Sequence, residues 1–270
     1  MKRHGDNDQD VYIAIKSSEE IEKMRKAGEV VAGALQMLGQ YVKPGITTGE
    51  LDRIAEEFVL SYNALPAFKG YEVDGRIFPA TLCISIDEQV VHGIPGDREL
   101  KEGEIVSFDC GASIDGYFAD SAYTYGVGEI SEGKSKLLKI TEEALYLGIA
   151  KAIVGNKLYD ISKAIQTHCE SNGFSLTREL VGHGIGTHLH EEPPVPNFVP
   201  PLLRRDQYPN VKLRAGMAIA IEPMVHLGKK EVITKRDGWT VVTADNSPAA
   251  HFEHTVIIQE NEPIIITKWK

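Results

Sequence analysis

The sequence predicts an α+β fold of two related halves, with mainly antiparallel sheet flanked by helix pairs. Three observations predict it. The order helix, helix, strands occurs twice along the chain. The strand-like runs are joined by Gly-, Pro- and Asp-containing turns rather than by single helices, which favours antiparallel sheet over βαβ units. Aligning Gly45 with Gly155 also sets Leu51 on Ile161 and Ala55 on Ile165. That alignment points to half-repeats at about 11–128 and 129–270, within a single domain covering 11–270.

Each element has a local cause. Ser17-Ser18-Glu19-Glu20 is a capping box, since a serine and a glutamate three residues apart can satisfy each other's backbone amides. Ile21, Met24, Ala27, Val31, Leu35 and Leu38 follow at helical spacing, and Lys43-Pro44-Gly45 stops that helix. Thr47 and Glu50 form a second capping box, with Ile46 and Leu51 placed as a hydrophobic staple. The second helix runs to about residue 62. Strands are expected at 81–86, 105–110 and 122–127. A long helix spans about 131–153, and Gly155-Asn156 separates it from another at about 159–171. Strands return at 217–225, 239–242, 251–258 and 264–267.

The bulk composition narrows the function. A chain of 270 residues with 42% hydrophobic and 25% charged residues is ordinary for a soluble globular protein. A net charge of −10 without a basic stripe argues against nucleic-acid binding. The basic stretch from Lys229 to Arg236 is interrupted by Glu231 and reads as a solvated hairpin face. No run of 18 apolar residues offers a membrane span. The polar start MKRHGDNDQD has no apolar stretch behind it, so residues 1–10 are expected to be a disordered tail rather than a signal peptide. Cys83, Cys110 and Cys169 are odd in number and contain no CxxC pair. They point to a reducing compartment, most simply the cytoplasm.

The chemistry begins with misplaced charges. Asp109 follows Ile-Val-Ser-Phe at the end of an apolar strand, where a carboxylate is costly unless paired or metal-bound. The Asp115-Gly116 turn of a hairpin brings Asp109 and Asp120 near each other across adjacent strands. Glu222 interrupts MAIAIEPMV, and Glu253 interrupts HFEHTVII. Any one of these acids alone could be a salt-bridged core residue. Four of them, with a glycine-flanked histidine at His183 in VGHGIGTHLHEEPPV, read as a site. The flanking glycines would let the backbone approach a metal closely. Oxygen ligands with one imidazole suit Mn, Fe, Co or Zn. Four carboxylates balance two divalent ions, as in a dinuclear centre with a bridging hydroxide. Spacing alone does not separate His188 from His190.

The segments FDCGASIDGYFAD, GHGIGTHLHEEP, IEPM and FEHT, in that order, resemble the methionine aminopeptidase family. The resemblance runs from IEKMRKAG through VKPGITTGELDRI and CISIDEQVVHGIP to RDGWT and FEHT, and favours the bacterial-type (type I) group. It implies the pseudo-twofold pita-bread (creatinase/aminopeptidase) fold. It also implies a dinuclear metallo-exopeptidase that removes the initiator methionine from nascent polypeptides, as a monomer at the ribosome. The metal ligands it implies are Asp109, Asp120, His183, Glu222 and Glu253. His92 and His190 would act at the substrate, Glu222 would shuttle a proton, and His188 would do neither. Phe68, Tyr71, Phe78, Cys83, Leu189 and Trp239 would form the methionine pocket. Family members with cysteine and phenylalanine at the Phe68 and Leu189 positions would have a pocket of different shape.

Other readings leave marks that this chain lacks. A proline-specific dipeptidase usually carries an additional N-terminal domain, and a eukaryotic-type methionine aminopeptidase a long helical insert between the His183 and Glu222 positions. A non-enzymatic module on the same scaffold would have lost metal ligands. His226 and His251 match no ligand position and read as surface or supporting residues; His254 would face away from Glu253, and His168 has no evident partner. The segment 193–209, with six prolines, is expected as a stiff loop at the substrate entrance.

Overall fold

The computed structural model describes residues 12–269, so the expected tail at 1–10 lies outside the described residues. Helices α1 (Ser18–Gly39) and α2 (Thr48–Ser61) both open on capping boxes, at Ser17/Glu20 and Thr47/Glu50. Helices α3 (Glu132–Ile149) and α4 (Leu158–Ser171) form the second pair. The α3 helix ends at Ile149, four residues before the expected position, and the cap residue Ala150 donates its N–H to the Gly148 and Tyr146 carbonyls.

Each helix pair covers one sheet. In the first half, strand Ile105–Ile114 is central, pairing antiparallel with Leu82–Ile86 and with Tyr117–Gly126. The hairpin turn is Asp115-Gly116, and both residues have the positive φ (51° and 78°) that a two-residue hairpin turn requires. In the second half, a five-stranded antiparallel sheet runs in the order Glu191–Val195, Gly182–Gly184, Ala218–Ile221, His254–Ile257, Ile264–Ile265. Two hydrophobic cores result: Leu35, Leu51, Val106 and Phe108 lie in one, and Leu145, Ile161, Ile165 and Ile219 in the other.

The repeat has a structural basis. Gly45 and Gly155 occupy matching positions after the first helix of each half, with φ of +90° and +96°. Two residues beyond each, Thr47 bridges Glu99 and Lys157 bridges Lys212. Leu51 and Ile161 are both fully buried, as are Ala55 and Ile165.

Two strands expected to be continuous are broken. The 217–225 run divides into Ala218–Ile221 and Met224–His226, and the 251–258 run into Ala249–His251 and His254–Ile257. The breaks coincide. Ile221 pairs with His254 and Met224 with His251, so Glu222 and Glu253 sit at a shared interruption of one ribbon. Proline at 223 cannot donate to the ladder, which accounts for the break on one side. Short strands at Gln89–Val91, Gly182–Gly184, Glu191–Val195 and Val232–Thr234 escape sequence reading because each is only three to five residues long.

A polar seam joins the halves. Ala122 and Glu253 exchange backbone hydrogen bonds of 3.4 and 2.9 Å. The Thr255 hydroxyl accepts from Asp120 N–H at 3.0 Å and donates to the Asp120 carbonyl at 2.8 Å. Ser121 Oγ donates to the Glu253 carbonyl, and Thr124 Oγ1 to that of His251. The three hydroxyl residues, Asp120 and Glu253 are all buried, so none of these bonds has water as an alternative. Replacing Thr255 by Val keeps the shape and removes both bonds to Asp120. The expected loss is about 1–3 kcal/mol, the cost of leaving buried backbone groups unpaired, read as a shift in the urea midpoint at unchanged slope.

Candidate metal centre and substrate cavity

The hairpin places Asp109 opposite Ala122 and Asp120 opposite Gly111, so the two aspartates stand diagonally across one pair of strands. The seam then sets Glu253 beside Asp120. His183 comes from the strand Gly182–Gly184, and Glu222 from the ribbon break. All five line a single cavity of about 300 Å³. Ligand atoms of Asp120, His183 and Glu253 lie within 4.8 Å of one another, as do those of Glu222, His251 and Glu253.

The electrostatics are lopsided. The ion-pairing neighbours of these carboxylates among the described residues are histidines: His183 is 3.8 Å from Glu222, and His251 is 3.4 Å from Glu222 and 3.8 Å from Glu253. Burial, then repulsion from Glu222, pushes Asp120 up to about 7. Burial alone pushes Glu222 up to about 8. Burial, then the neighbouring acids, raises Asp109 and Glu253 well above the carboxylate range. Burial drives His183 and His251 down to about 3, which leaves both imidazoles neutral.

This donor set fits a divalent cation. Asp109 Oδ1, Asp120 Oδ1 and Glu253 Oε1 are buried without a hydrogen-bond partner. Such orphaned anionic oxygens are expensive unless a cation meets them. His183 Nδ1 lies 2.9 Å from the Gly184 carbonyl, so an Nδ1–H donated there leaves the Nε2 lone pair for a metal.

A model of the metallopeptidase family M24 matches residues 22–260. The chain belongs to metallopeptidase family M24. It is 53% identical over 255 residues to the methionine aminopeptidase of Clostridium perfringens, covering 94% of this chain and 98% of that one. It is 48% identical over 256 residues to methionine aminopeptidase 1 of Bacillus subtilis, covering 95% and 99%. The crystal structure of the Thermotoga maritima methionine aminopeptidase superposes with a TM-score of 0.89 at 44% identity, covering 95% of this chain and all of that one. A Pyrococcus furiosus prolidase shares the fold, with a TM-score of 0.76 at 23% identity and 66% of its chain covered. The architecture is therefore the pita-bread fold of the M24 peptidases.

In this M24 chain every site residue that the resemblance implied lines the same cavity. Phe68, Phe78, Cys83 and Leu189 form its buried apolar wall, and Tyr71 and Trp239 its half-buried edge. Phe78 and Trp239 pack edge to face at 5.2 Å. Cys83 pairs directly with Asp109, so its thiol shares the aspartate's face, while Cys110 turns into the core. The Tyr71 hydroxyl is 2.6 Å from His190 Nδ1, which fixes the ring and frees Nε2. His190 also stacks edge-on against His183 at 4.4 Å. His188 remains outside the cavity with a side chain 81% exposed. His92 has φ +58°, a left-handed conformation rare for a residue with a Cβ, and burial lowers it to about 4. Such backbone strain clusters where function requires a side chain aimed one way.

Four readings need amending. The glycines beside His183 have a strand-packing role that the sequence did not show. A Cβ on Gly182 would lie 2.3 Å from the Ala220 carbonyl oxygen, and one on Gly184 2.1 Å from that of Glu192, so both glycines let neighbouring strands close on the ligand strand. Of the two roles expected for His226 and His251, burial removes the surface one, and His226 bonds Thr177 and the Lys229 carbonyl. His168 has a partner, Glu143, at 2.9 Å across α3 and α4. The segment 193–209 is a loop only in part. Residues up to Val195 pair with the His183 strand, Ser162 bonds the Pro196 carbonyl, and Asn197 bonds the Glu222 carbonyl at 2.8 Å. Its first part therefore braces His183 and Glu222, while Pro194 lines a cleft beside His92, His190 and Glu222.

Val73 is the one cavity residue that sequence reading missed. Its signal was present: Glu-Val-Asp-Gly-Arg-Ile alternates about an Asp-Gly turn, and it forms the hairpin Glu72–Val73/Arg76–Ile77.

Two outcomes follow from this geometry. The raised carboxylates favour a folded protein that holds extra protons, so their contribution falls as pH rises through the folded values of about 7 and 8. The depressed histidines act in the opposite direction, but only below their ordinary 6.5. Between pH 6.5 and 8 the metal-free protein should therefore lose stability, and the metal-loaded protein should not; parallel melting curves in the two forms would refute the shared cause. Deleting residues 193–198 should abolish metal binding, whereas trimming the exposed Leu202-Leu203 turn should leave metal content intact, as measured by elemental analysis.

Proposed function

We propose that this chain removes the initiator methionine from nascent polypeptides as a monomer in the cytoplasm, acting on chain ends at the ribosome and using two divalent ions drawn from Co, Mn, Fe or Zn. One observation carries the reading: an apolar wall and a buried carboxylate–imidazole cluster share one cavity. A membrane site finds no support, because no helix of the described residues is long and apolar enough to cross a bilayer. Residues 11–270 act as one unit, since the seam and the ligand set draw on both halves.

Asp109, Asp120, His183, Glu222 and Glu253 would hold the ions. Four carboxylates against two divalent cations leave the buried centre neutral. Bound there, the ions would polarise the scissile carbonyl and supply hydroxide near neutral pH. The protein's own groups do the rest. The wall of Phe68, Phe78, Cys83, Leu189 and Trp239 takes an unbranched thioether side chain, whose flexible sulfur adapts to aromatic edges. His190, oriented by Tyr71, and His92 donate hydrogen bonds to the peptide and to the oxyanion that develops at its carbonyl. Glu222, a carboxylate beside the ions, would shuttle a proton to the departing amine.

Activity on a Met-Ala peptide with added Mn²⁺ or Co²⁺ tests the reading, and two variants sharpen it. His190→Ala should lower kcat/KM by roughly 10²-fold or more, the scale of one transition-state donor. His188→Ala should leave it nearly unchanged. Equal losses would remove the distinction between the two histidines. Asp109→Asn should abolish turnover and weaken metal binding; unchanged metal content would exclude it as a ligand.

A further inference from the structure

One buried polar group of the centre has no role in this account. His251 is 1% exposed, and its Nε2 has no hydrogen-bond partner. Two carboxylate oxygens face it, Glu222 Oε2 at 3.4 Å and Glu253 Oε2 at 3.8 Å. They differ from the oxygens that mark the cation position. Those are Asp109 Oδ1, Asp120 Oδ1 and Glu253 Oε1, and the Glu222 oxygen nearest His183 is Oε1. Each glutamate thus turns one oxygen to His251 and keeps the other for the cluster. Ligating carboxylates are held in this way when a donor secures the oxygen that the metal does not need.

The backbone that carries the ring is held on both sides. Thr124 Oγ1 accepts from His251 N–H at 3.0 Å and donates to its carbonyl at 2.7 Å. Pairing of His251 with Met224 then presents the ring to the ribbon break that carries Glu222.

We propose that His251 is a positioning residue whose Nε2–H holds the outer oxygens of Glu222 and Glu253, keeping their inner oxygens turned toward the metal ions. The proposal rests on the metallopeptidase reading above.

The test compares wild type, His251→Ala and His251→Gln, since a glutamine amide can replace the N–H. Metal-free proteins are titrated with Mn²⁺ by calorimetry, and kcat and KM are measured on a Met-Ala peptide at saturating Mn²⁺. Melting of the metal-free forms establishes folding; if the alanine variant does not fold, His251→Asn, one methylene shorter than Gln, replaces it. The alanine variant should bind the same number of ions about 10–100-fold more weakly, the scale of losing such a partner. Its kcat should fall while KM stays within about twofold, because the substrate contacts at His92, His190 and the apolar wall are untouched. Glutamine should restore both properties to within a few-fold of wild type. Wild-type affinity in the alanine variant would overturn the proposal. So would one fewer bound ion in both variants, which would make His251 a ligand. A folded glutamine variant as impaired as alanine would show that a donor is not what the centre lacks. A wild-type protein that neither binds Mn²⁺ nor cleaves the peptide would overturn the functional reading, and this proposal with it.

Discussion

Four clustered carboxylates, Asp120 and Glu253 buried and Asp109 and Glu222 nearly so, have no lysine or arginine among their described ion-pair partners, and the rest of this structure depends on that constraint. Left charged and unpaired in a low-dielectric interior, they would repel one another and the fold. Protonation relieves this in the metal-free protein, and divalent cations relieve it more completely. The backbone around them is accordingly overdetermined. Asp120 and Glu253 are tied to each other's strands through Thr255 and Ser121, so neither acid can withdraw without breaking buried hydrogen bonds. The glycines beside His183 press three strands together at the one point where an imidazole must meet the acids.

The same cavity carries the opposite chemistry on its other wall. Cys83 and Asp109 are direct neighbours across a strand pair, so the change from apolar to ionic surface occurs within a single register position. A substrate side chain that prefers the apolar wall therefore delivers its carbonyl to the ionic one. Geometry of this kind converts binding into orientation, which is worth more to a hydrolytic step than either wall alone.

Much of this was legible in the sequence because each feature violated a local rule. Asp109, Glu222 and Glu253 are charges inside apolar runs, and the capping boxes at Ser17 and Thr47 announce two helices. What escaped depended on tertiary pairing. The strand break at Glu222 reads as a continuous apolar run, since its counterpart at Glu253 lies thirty residues away and only their register shows that the two coincide. His251 looks like any histidine beside a motif until Thr124 is seen to hold its backbone. The proline-rich segment was half misread for the same reason: prolines predict an extended chain, and an extended chain can serve as an edge strand as well as a loop.

Edge placement also explains how a proline-rich segment can serve both structure and access. An edge strand needs partners on one side only, so Glu191–Val195 can brace the His183 strand while its other side faces the cleft that Pro194 lines. Arg76 packs against Gly238, whose φ of +77° disfavours any residue with a Cβ. That contact joins the Val73 hairpin to the loop bearing Trp239. Val73 on one side and Pro194 on the other thus line neighbouring cavities that share His92, His183, His190 and Glu222. Substitutions on the Val73 hairpin leave the carboxylate cluster undisturbed, whereas movement of the Glu191–Val195 strand or of the seam reaches the strands that carry His183 and Asp120.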